Sequence, residues 1–299
     1  MFSYRAHGLD IASEIRLSAP QEDFFCPDVQ VQRGKVSFPP AAEGRNIWIT
    51  ETEAYLRFAG IGVIRVSHGR EIVAEVAAGV VDGTIELFIL GPALGILLHQ
   101  RGLLVLHGSA VVLNEGVVAF LGMSGWGKST MAGTLGKRGH VVFADDFVGV
   151  SFVHGRPVAF PGFPRLKLGL DAADTLGYPA HSSQPLLPND ERREFSVEGA
   201  SPWVPRPLER IYVLAKGDVP VIEHLNPQDA VVELIRHSYA VPCLKESSSS
   251  AEHLRNCASL VNAVPIYTLR RPLNLELIYE VAKLVERDLG VDHEEVAVL

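Results

Sequence analysis

Cysteine is scarce in this chain, with only Cys26, Cys243 and Cys257 in 299 residues. The three stand far apart and show none of the short spacings that hold a metal ion. An odd number of separated cysteines argues against a disulfide framework and is typical of a reducing compartment. We therefore expect neither structural disulfides nor a cysteine metal centre.

An excess of positive charge and a long hydrophobic run are also absent. The net charge is -8, which excludes a protein that binds nucleic acid through a broad basic face. The most apolar stretch, Leu87–Leu98, is too short to span a membrane and contains Gly91-Pro92. The start, Met1–His7, lacks the pattern of a signal peptide. The sequence predicts a cytoplasmic protein that binds neither nucleic acid nor a membrane.

The hydrophobic pattern changes along the chain. We predict an α/β protein in which residues 1–90 form a small antiparallel β-rich domain and residues 91–299 form the catalytic domain. Glu71–Val76 alternates with the period of a half-buried strand. Other runs rich in strand-forming residues are Asn46–Glu51, Tyr55–Phe58 and Ile85–Leu90.

One motif carries most of the functional information. Gly122-Met-Ser-Gly-Trp-Gly-Lys-Ser-Thr130 fits the pattern G-x-x-x-x-G-K-[ST], between a buried strand at Val117–Leu121 and a predicted helix at Ser129–Lys137. Loops of this kind bind phosphate through backbone N–H groups, while Lys128 reaches the β/γ-phosphates and Ser129 binds Mg²⁺. The predicted nucleotide-binding residues are Gly122, Ser124, Gly125, Trp126, Gly127, Lys128, Ser129 and Thr130.

Two further features lie near this loop in the predicted sheet. Asp145 and Asp146 follow the buried strand Val141–Ala144, where one carboxylate could hold Mg²⁺ and the other accept a proton. The alternative is that one caps a turn and the other is solvated. His107 lies in a predicted hairpin strand beside the strand that enters the loop. It is either a catalytic group near the phosphates or a core histidine.

These segments together resemble a known family. Leu106–Ala110, Gly122–Ser129 and Arg138–Asp146 resemble the catalytic core of HPr kinase/phosphorylase. The chain is more similar to the HPr-kinase-like proteins of lasso-peptide biosynthesis, which it also resembles at Tyr4–Glu14 and Gln100–His107. The resemblance covers most of the chain, but its specific motifs lie between about His107 and Asp146.

The resemblance implies an ATP- and Mg²⁺-dependent kinase that phosphorylates a serine of a peptide or protein, here a ribosomal precursor peptide. Its fold would be related to the nucleotide-binding core of phosphoenolpyruvate carboxykinase. Asp145 would be the general base, with His107 and Lys128 also catalytic. Asp146 would assist with Mg²⁺, so that Ser129 and Asp146 are the implied metal ligands.

The chain departs from that family at a later motif, E-[IV]-R-G. The matching region, Phe160–Lys167, has no Glu, which leaves the second metal contact and phosphorolysis open. Within it, Arg165 and Lys167 either contact phosphate or an acidic peptide, or belong to a solvated loop. Arginines that could line a peptide groove, each more readily explained as a surface charge, are Arg165, Arg192, Arg193, Arg206, Arg210 and Arg236.

The acceptor and the oligomeric state stay open at this point. The alternatives to a peptide kinase are an HPr serine kinase in carbon regulation, a small-molecule kinase, and a nucleotide-binding regulatory module without phosphotransfer. The missing Glu favours the last, whereas the complete set Lys128, Ser129, Asp145 and Asp146 argues against it. A homo-oligomer is expected only by analogy with the family.

Overall fold

The computed structural model describes residues 1–42, 44–179, 183–185, 191–197, 204–239 and 250–291. Over these ranges the chain has a mixed α/β fold with three β-sheets. The predicted α/β class is confirmed at this level.

The first sheet contains the first seven strands of the chain. They are β1 (Phe2–Ala6), β2 (Leu9–Ser13), β3 (Val29–Arg33), β4 (Ile47–Ile49), β5 (Glu53–Phe58), β6 (Gly62–Ser67) and β7 (Glu71–Val76), in the spatial order β1-β2-β3-β7-β6-β5-β4. The sheet is mixed, because β3 runs parallel to both β2 and β7. The prediction of an antiparallel sheet was therefore wrong for these two pairings, whereas the other four pairs of neighbouring strands are antiparallel. Period-two alternation shows which face of a strand is buried, but not the direction of its neighbours.

A helical segment follows the first sheet and packs against it. It consists of helix α1 (Asp82–Phe88), a π-helical turn (Ile89–Ala93) and helix α2 (Leu94–Gln100). The strand predicted at Ile85–Leu90 was wrong, because a run of apolar residues buried on all sides has no periodicity that separates strand from helix. Residues from this segment share one apolar core with the sheet. The predicted domain boundary at residue 90 falls inside the segment and stays a prediction.

The same segment is the one stretch of the described chain that resembles a membrane span. Asp82–Gln100 is long and apolar enough by composition, and 61% of its most apolar window is buried inside the protein. This burial is what a core helix of a globular domain shows.

The second sheet contains nine strands and carries the loop motif. They are β8 (Leu104–Leu106), β9 (Gly108–Leu113), β10 (Gly116–Leu121), β11 (Val141–Ala144), β12 (Val148–Val153), β13 (Arg156–Phe160), β17 (Arg206–Lys216), β18 (Val221–His224) and β19 (Ile266–Arg271). The order is β11-β9-β10-β17-β13-β12-β8, and β19 pairs with β17 and β18. Because β10, β17 and β19 are parallel, their carboxyl ends meet at one edge of the sheet.

A third sheet and further helices complete the described part of the fold. The third sheet is formed by β14 (Arg165–Gly169), β15 (Ser183–Pro185) and β16 (Arg192–Ser196), in the order β14-β16-β15. The remaining helices are α3 (Lys128–Lys137), α4 (Leu170–Thr175), α5 (Pro227–Arg236), α6 (Ser250–Ala263) and α7 (Ile278–Asp288). The predicted hairpin of β9 with β10 is confirmed.

Candidate active site

The phosphate-loop motif forms the connection between β10 and α3. All six residues of β10 are buried, so the strand delivers the loop from the middle of the sheet. Gly127 ends the loop with φ 75°, a left-handed conformation that favours glycine, and is the N-cap of α3. A side chain at Gly127 would also collide with the guanidinium of Arg271. Backbone conformation therefore favours glycine at this position, and any other residue would also have to displace the end of the Arg271 side chain.

Lys128 is the first residue of α3, directly after the loop, and is buried, with 8% of its surface exposed. Its Nζ donates to the carbonyl oxygens of Gly122 at 2.9 Å and Met123 at 3.1 Å. Burial lowers the pKa of Lys128, while the charges of Asp145 and Asp146 act in the opposite direction. An ammonium group whose hydrogen-bond partners are neutral carbonyls is suited to an arriving anion.

Asp145 directly follows strand β11 and connects the loop to the rest of the site. Its Oδ1 accepts from the hydroxyl of Ser109 at 2.5 Å and from that of Ser129 at 2.8 Å. Its Oδ2 accepts from the backbone N–H of Lys167 at 2.8 Å. Burial raises the pKa of Asp145, and these hydrogen bonds oppose that shift in part. The carboxylate is thus oriented and has a raised proton affinity.

Asp146 occupies a different electrostatic environment. Its Oδ2 accepts from Lys167 Nζ at 2.8 Å, and its Oδ1 lies 3.9 Å from His107 Nδ1. Burial alone would raise the pKa of Asp146, but the charge and hydrogen bond of Lys167, with smaller effects of His107 and Arg165, hold it below its usual value. Asp146 also has φ 79°. This backbone conformation is uncommon for residues other than glycine, and it occurs more often at functional sites than elsewhere.

His107 lies between β8 and β9 on the wall of the same site. Its backbone N–H donates to the carbonyl of His237 at 2.7 Å. Burial lowers the pKa of His107, and the charge of Lys128 lowers it further, against the effect of Asp146. His107 is therefore a neutral imidazole at neutral pH, able to accept as well as donate a hydrogen bond.

These side chains line one cleft with a volume of about 720 Å³. Among the predicted site residues, those that line it are His107, Ser124, Gly125, Gly127, Lys128, Ser129, Thr130, Asp145 and Asp146. Gly122 and Trp126 are not lining residues. Gly122 contributes the carbonyl that accepts from Lys128, and the side chain of Trp126 packs against the apolar core beside the loop.

The oxygen atoms in the cleft suit an Mg²⁺ ion that is also bound by water and phosphate, rather than a metal ion held only by protein side chains. Within the described ranges no group of three or more His, Cys, Asp or Glu side chains could hold a metal ion. Mg²⁺ is usually held by one or two carboxylates together with water and substrate phosphates. Ser129 and Asp146 both line the cleft, and the Ser129 hydroxyl keeps its lone pairs free because it donates its proton to Asp145.

The arginines proposed from the sequence lie mostly outside the cleft. Of the six, Arg192 lines it. The guanidinium of Arg165 is buried and pairs with Glu194 at 3.0 Å and Glu86 at 3.4 Å, so it connects β14 to α1 rather than to a ligand. Lys167, its neighbour in β14, does line the cleft and holds Asp146.

Sequence reasoning assigned no role to three residues of this region. Ser109 belongs to the resemblance motif, but its hydrogen bond to Asp145 follows only from the pairing of β9 with its neighbours. Tyr239 lies beside His107, with ring centroids 6.1 Å apart, and Arg271 reaches the loop from the end of β19. No local pattern marks Tyr239 or Arg271. The backbone N–H of Tyr239 donates to the carbonyl of Val105 in β8, and Arg271 reaches the loop through the order of the strands.

Comparison with known proteins adds little information about function to the geometry of the cleft. No protein-family model matches the chain, and no curated protein matches it. A solved structure of the Hpr(Ser) kinase/phosphatase from Coxiella burnetii is similar with a TM-score of 0.34 and 10% identity, over 62% of this chain and 98% of that one. At that level of similarity, function has to be argued from the cleft itself.

Proposed function

We propose that this protein is a kinase that transfers the γ-phosphoryl group of ATP to a serine hydroxyl of a peptide. The observation that carries the proposal is the 2.8 Å hydrogen bond from Ser129 to Asp145. It joins the phosphate-loop motif to the acidic pair within the cleft that also holds Lys128 and His107. In phosphate-loop NTPases a loop hydroxyl and a strand-end carboxylate together hold Mg²⁺. Here the contact brings the loop hydroxyl to the acidic pair, in which we assign the metal to Asp146 and the proton to Asp145.

Lys128 and the loop would bind the phosphates of the nucleotide. Phosphoryl transfer requires positioning and charge neutralisation more than covalent chemistry. The buried ammonium of Lys128 and the N-terminus of α3 both offer positive charge on the same side of the cleft. When bound beside Ser129 and Asp146, Mg²⁺ would neutralise negative charge on the phosphate oxygens.

Asp145 is the proposed general base for the acceptor hydroxyl. Its raised pKa gives it a higher proton affinity than an exposed carboxylate, which is what a base for a hydroxyl needs. Asp146 stays ionised because Lys167 lowers its pKa, so it suits a cation better than a proton. His107, neutral and 3.9 Å from Asp146, would support the acidic pair at the acceptor side of the cleft.

The acceptor is proposed from the sequence resemblance and not from the cleft. The similarity to the lasso-peptide kinases favours a ribosomal precursor peptide with a serine, acted on in the cytoplasm. The test is intact-mass spectrometry after incubation with Mg-ATP. The offered acceptors are a lasso-type precursor peptide ending in serine, HPr, and free serine.

We expect a gain of one phosphate group on the precursor peptide and none on HPr or free serine. Asp145→Asn should bind ATP like the wild type while kcat falls about 10²-fold or more, the usual scale of general-base catalysis. A gain on HPr alone would assign the chain to carbon regulation. Binding of ATP without transfer to any acceptor would favour a regulatory module, and full activity of Asp145→Asn would remove the base assignment.

A further inference from the structure

Arg271 is a buried cation in the wall of the cleft to which the proposed function assigns no role. It is the last residue of β19 and only 3% of its surface is exposed. It nevertheless lines the same cleft as Lys128 and Ser129. The parallel order β10-β17-β19 brings the end of its strand next to the phosphate loop.

The hydrogen bonds of Arg271 leave its charge uncompensated. Nη2 donates to the carbonyl of Trp126 at 2.7 Å, and Nη1 donates to the carbonyl of Pro272 at 3.2 Å. Its Nε is buried and has no hydrogen-bond partner. No carboxylate in the part of the chain that the structure describes forms an ion pair with it, and burial lowers its pKa with no opposing charge.

Other arginines of this protein whose side chains are buried or half-buried do have acidic partners. The guanidinium of Arg138 donates to both carboxylate oxygens of Glu286, at 2.7 and 2.6 Å. Arg165 pairs with Glu194 at 3.0 Å. Burial of an ionised group is unfavourable unless a charge and hydrogen bonds compensate it. Arg271 is therefore a site where a bound anion would supply the negative charge and the hydrogen-bond acceptor that the described residues do not provide.

The position of Arg271 indicates which anion. Its guanidinium lies over Gly127, the last glycine of the loop, where any side chain would collide with it. Lys128 follows Gly127 directly, so two cations border one end of the cleft. A guanidinium has a planar set of donors that matches phosphate oxygens in a two-pronged contact, whereas lysine provides a point charge.

We propose that Arg271 binds the polyphosphate of the nucleotide beyond its first phosphate, as a second cation beside Lys128. This inference rests on the proposed function for the identity of the ligand. The competing role is structural, in which Arg271 only holds the Trp126 carbonyl and so shapes the loop. The two roles predict different stabilities without nucleotide, because only a structural Arg271 would stabilise the ligand-free protein.

The test compares Arg271→Met with wild type by calorimetric titration of ATP, ADP and AMP with Mg²⁺, and by the melting temperature without ligand. We expect Arg271→Met to weaken ATP binding about 10-fold or more and AMP binding less than about twofold, as for loss of one charged hydrogen-bond partner. The ligand-free melting temperature should stay the same or rise, because an uncompensated buried charge is removed. Arg270→Met is the matched control, since Arg270 is exposed on the same strand and pairs with Glu223.

Several outcomes would overturn the inference. Equal ATP affinity in Arg271→Met and wild type would reject it. A lower ligand-free melting temperature with equal losses for ATP and AMP would assign Arg271 to loop structure alone. Arg271→Lys keeps the charge and should lose ATP affinity only in part, which keeps the test open if Arg271→Met does not fold.

Inorganic tripolyphosphate separates this inference from the proposed function. Wild type that binds tripolyphosphate but not ATP, with the binding lost in Arg271→Met, would reject the ATP-dependent kinase and keep the anion site. Wild type that binds neither ligand would reject both. Binding of ATP without transfer to any acceptor would remove the kinase and leave Arg271 as a phosphate ligand.

Discussion

The first sheet and the edge of the second sheet that borders the cleft (here the cleft edge) differ in the kind of side chain that they bury. In the first sheet most buried side chains are apolar, as at Ile11, Ile64 and Ile72, each at most 1% exposed. At the cleft edge, charged groups such as Lys128 and Arg271 are buried instead. Apolar burial stabilises a fold, whereas desolvated charge costs stability and is retained where it acts on a ligand. The comparison predicts that substitutions in the two regions affect different measured quantities.

The two regions are nevertheless in contact close to Asp146. The imidazole of His7, which follows β1, stacks on Phe147 with ring centroids 4.8 Å apart. On the other side, Tyr239 packs against Gly95 of the helical segment and lies beside His107. The apolar region thus supports the residues next to the acidic pair. Substitutions at these contacts should therefore change both the stability of the fold and the activity of the cleft.

Lys128→Met should give the largest effect. Loss of the buried ammonium removes the charge that faces the phosphates, so kcat/KM should fall about 10³-fold and ATP affinity should weaken. Steady-state kinetics and calorimetric titration would measure both. The control is Lys137→Met at the other end of α3, where Lys137 donates to the Gly177 carbonyl at 3.1 Å. Unchanged ATP affinity in Lys128→Met would contradict its assignment to the phosphates.

Ile64→Ala should lower the free energy of unfolding by about 3 kcal/mol, within the usual range for a buried isoleucine reduced to alanine. Ile64 is fully buried in β6, far along the chain from the loop, so ATP affinity should not change. Urea denaturation measures the first quantity and titration the second. Ile47→Ala on β4, where 47% of Ile47 is exposed, should have a much smaller effect. A loss of ATP affinity in Ile64→Ala would show that the two regions are coupled throughout.

His7→Asn should make the protein less sensitive to acid. Burial, with the charge of Arg165, lowers the pKa of His7 from 6.5 to about 3 in the folded state. The unfolded state therefore binds the additional proton, and the contribution of His7 to stability is complete above pH 6.5 and is lost as the pH falls towards 3. Between pH 7 and pH 5 this amounts to about 2 kcal/mol, at about 1.4 kcal/mol per pKa unit.

Denaturation midpoints of wild type and His7→Asn at both pH values measure this difference. Asparagine tolerates the left-handed backbone of His7, which has φ 52°. His68→Asn is the matched control, because His68 has the same φ of 52° but is exposed. An identical acid dependence in wild type and His7→Asn would show that His7 does not govern it.

Gly95→Ala should give the smallest effect and tests the contact between the regions. The added methyl would lie 2.6 Å from two ring carbons of Tyr239, so the ring must move, and with it the surroundings of His107. We expect kcat to fall about 10-fold, equivalent to about 1.4 kcal/mol. Gly83→Ala in α1 is the control, since nothing lies within 4 Å of its added methyl. Unchanged kcat in Gly95→Ala would mean that Tyr239 plays no part in positioning His107.

Much of the fold around the loop followed from local pattern. The buried strand before Gly122, the helix after it and the hairpin of β9 with β10 all depend on residues near one another in the chain. The direction of β3 and the helix at Ile85 did not follow, because pairing direction and burial on all sides leave no signature in hydrophobic period.

The sequence by itself determined that a helix follows the glycine loop from about Ser129, because strand, turn and helix are set by neighbouring residues. It also determined that a buried strand ends directly before Asp145. Only the tertiary structure decided that Arg271 donates to the carbonyl of Trp126, 145 residues away in the chain. That contact depends on the order in which distant strands pair, which is set by the packing of the whole sheet and not by any local pattern.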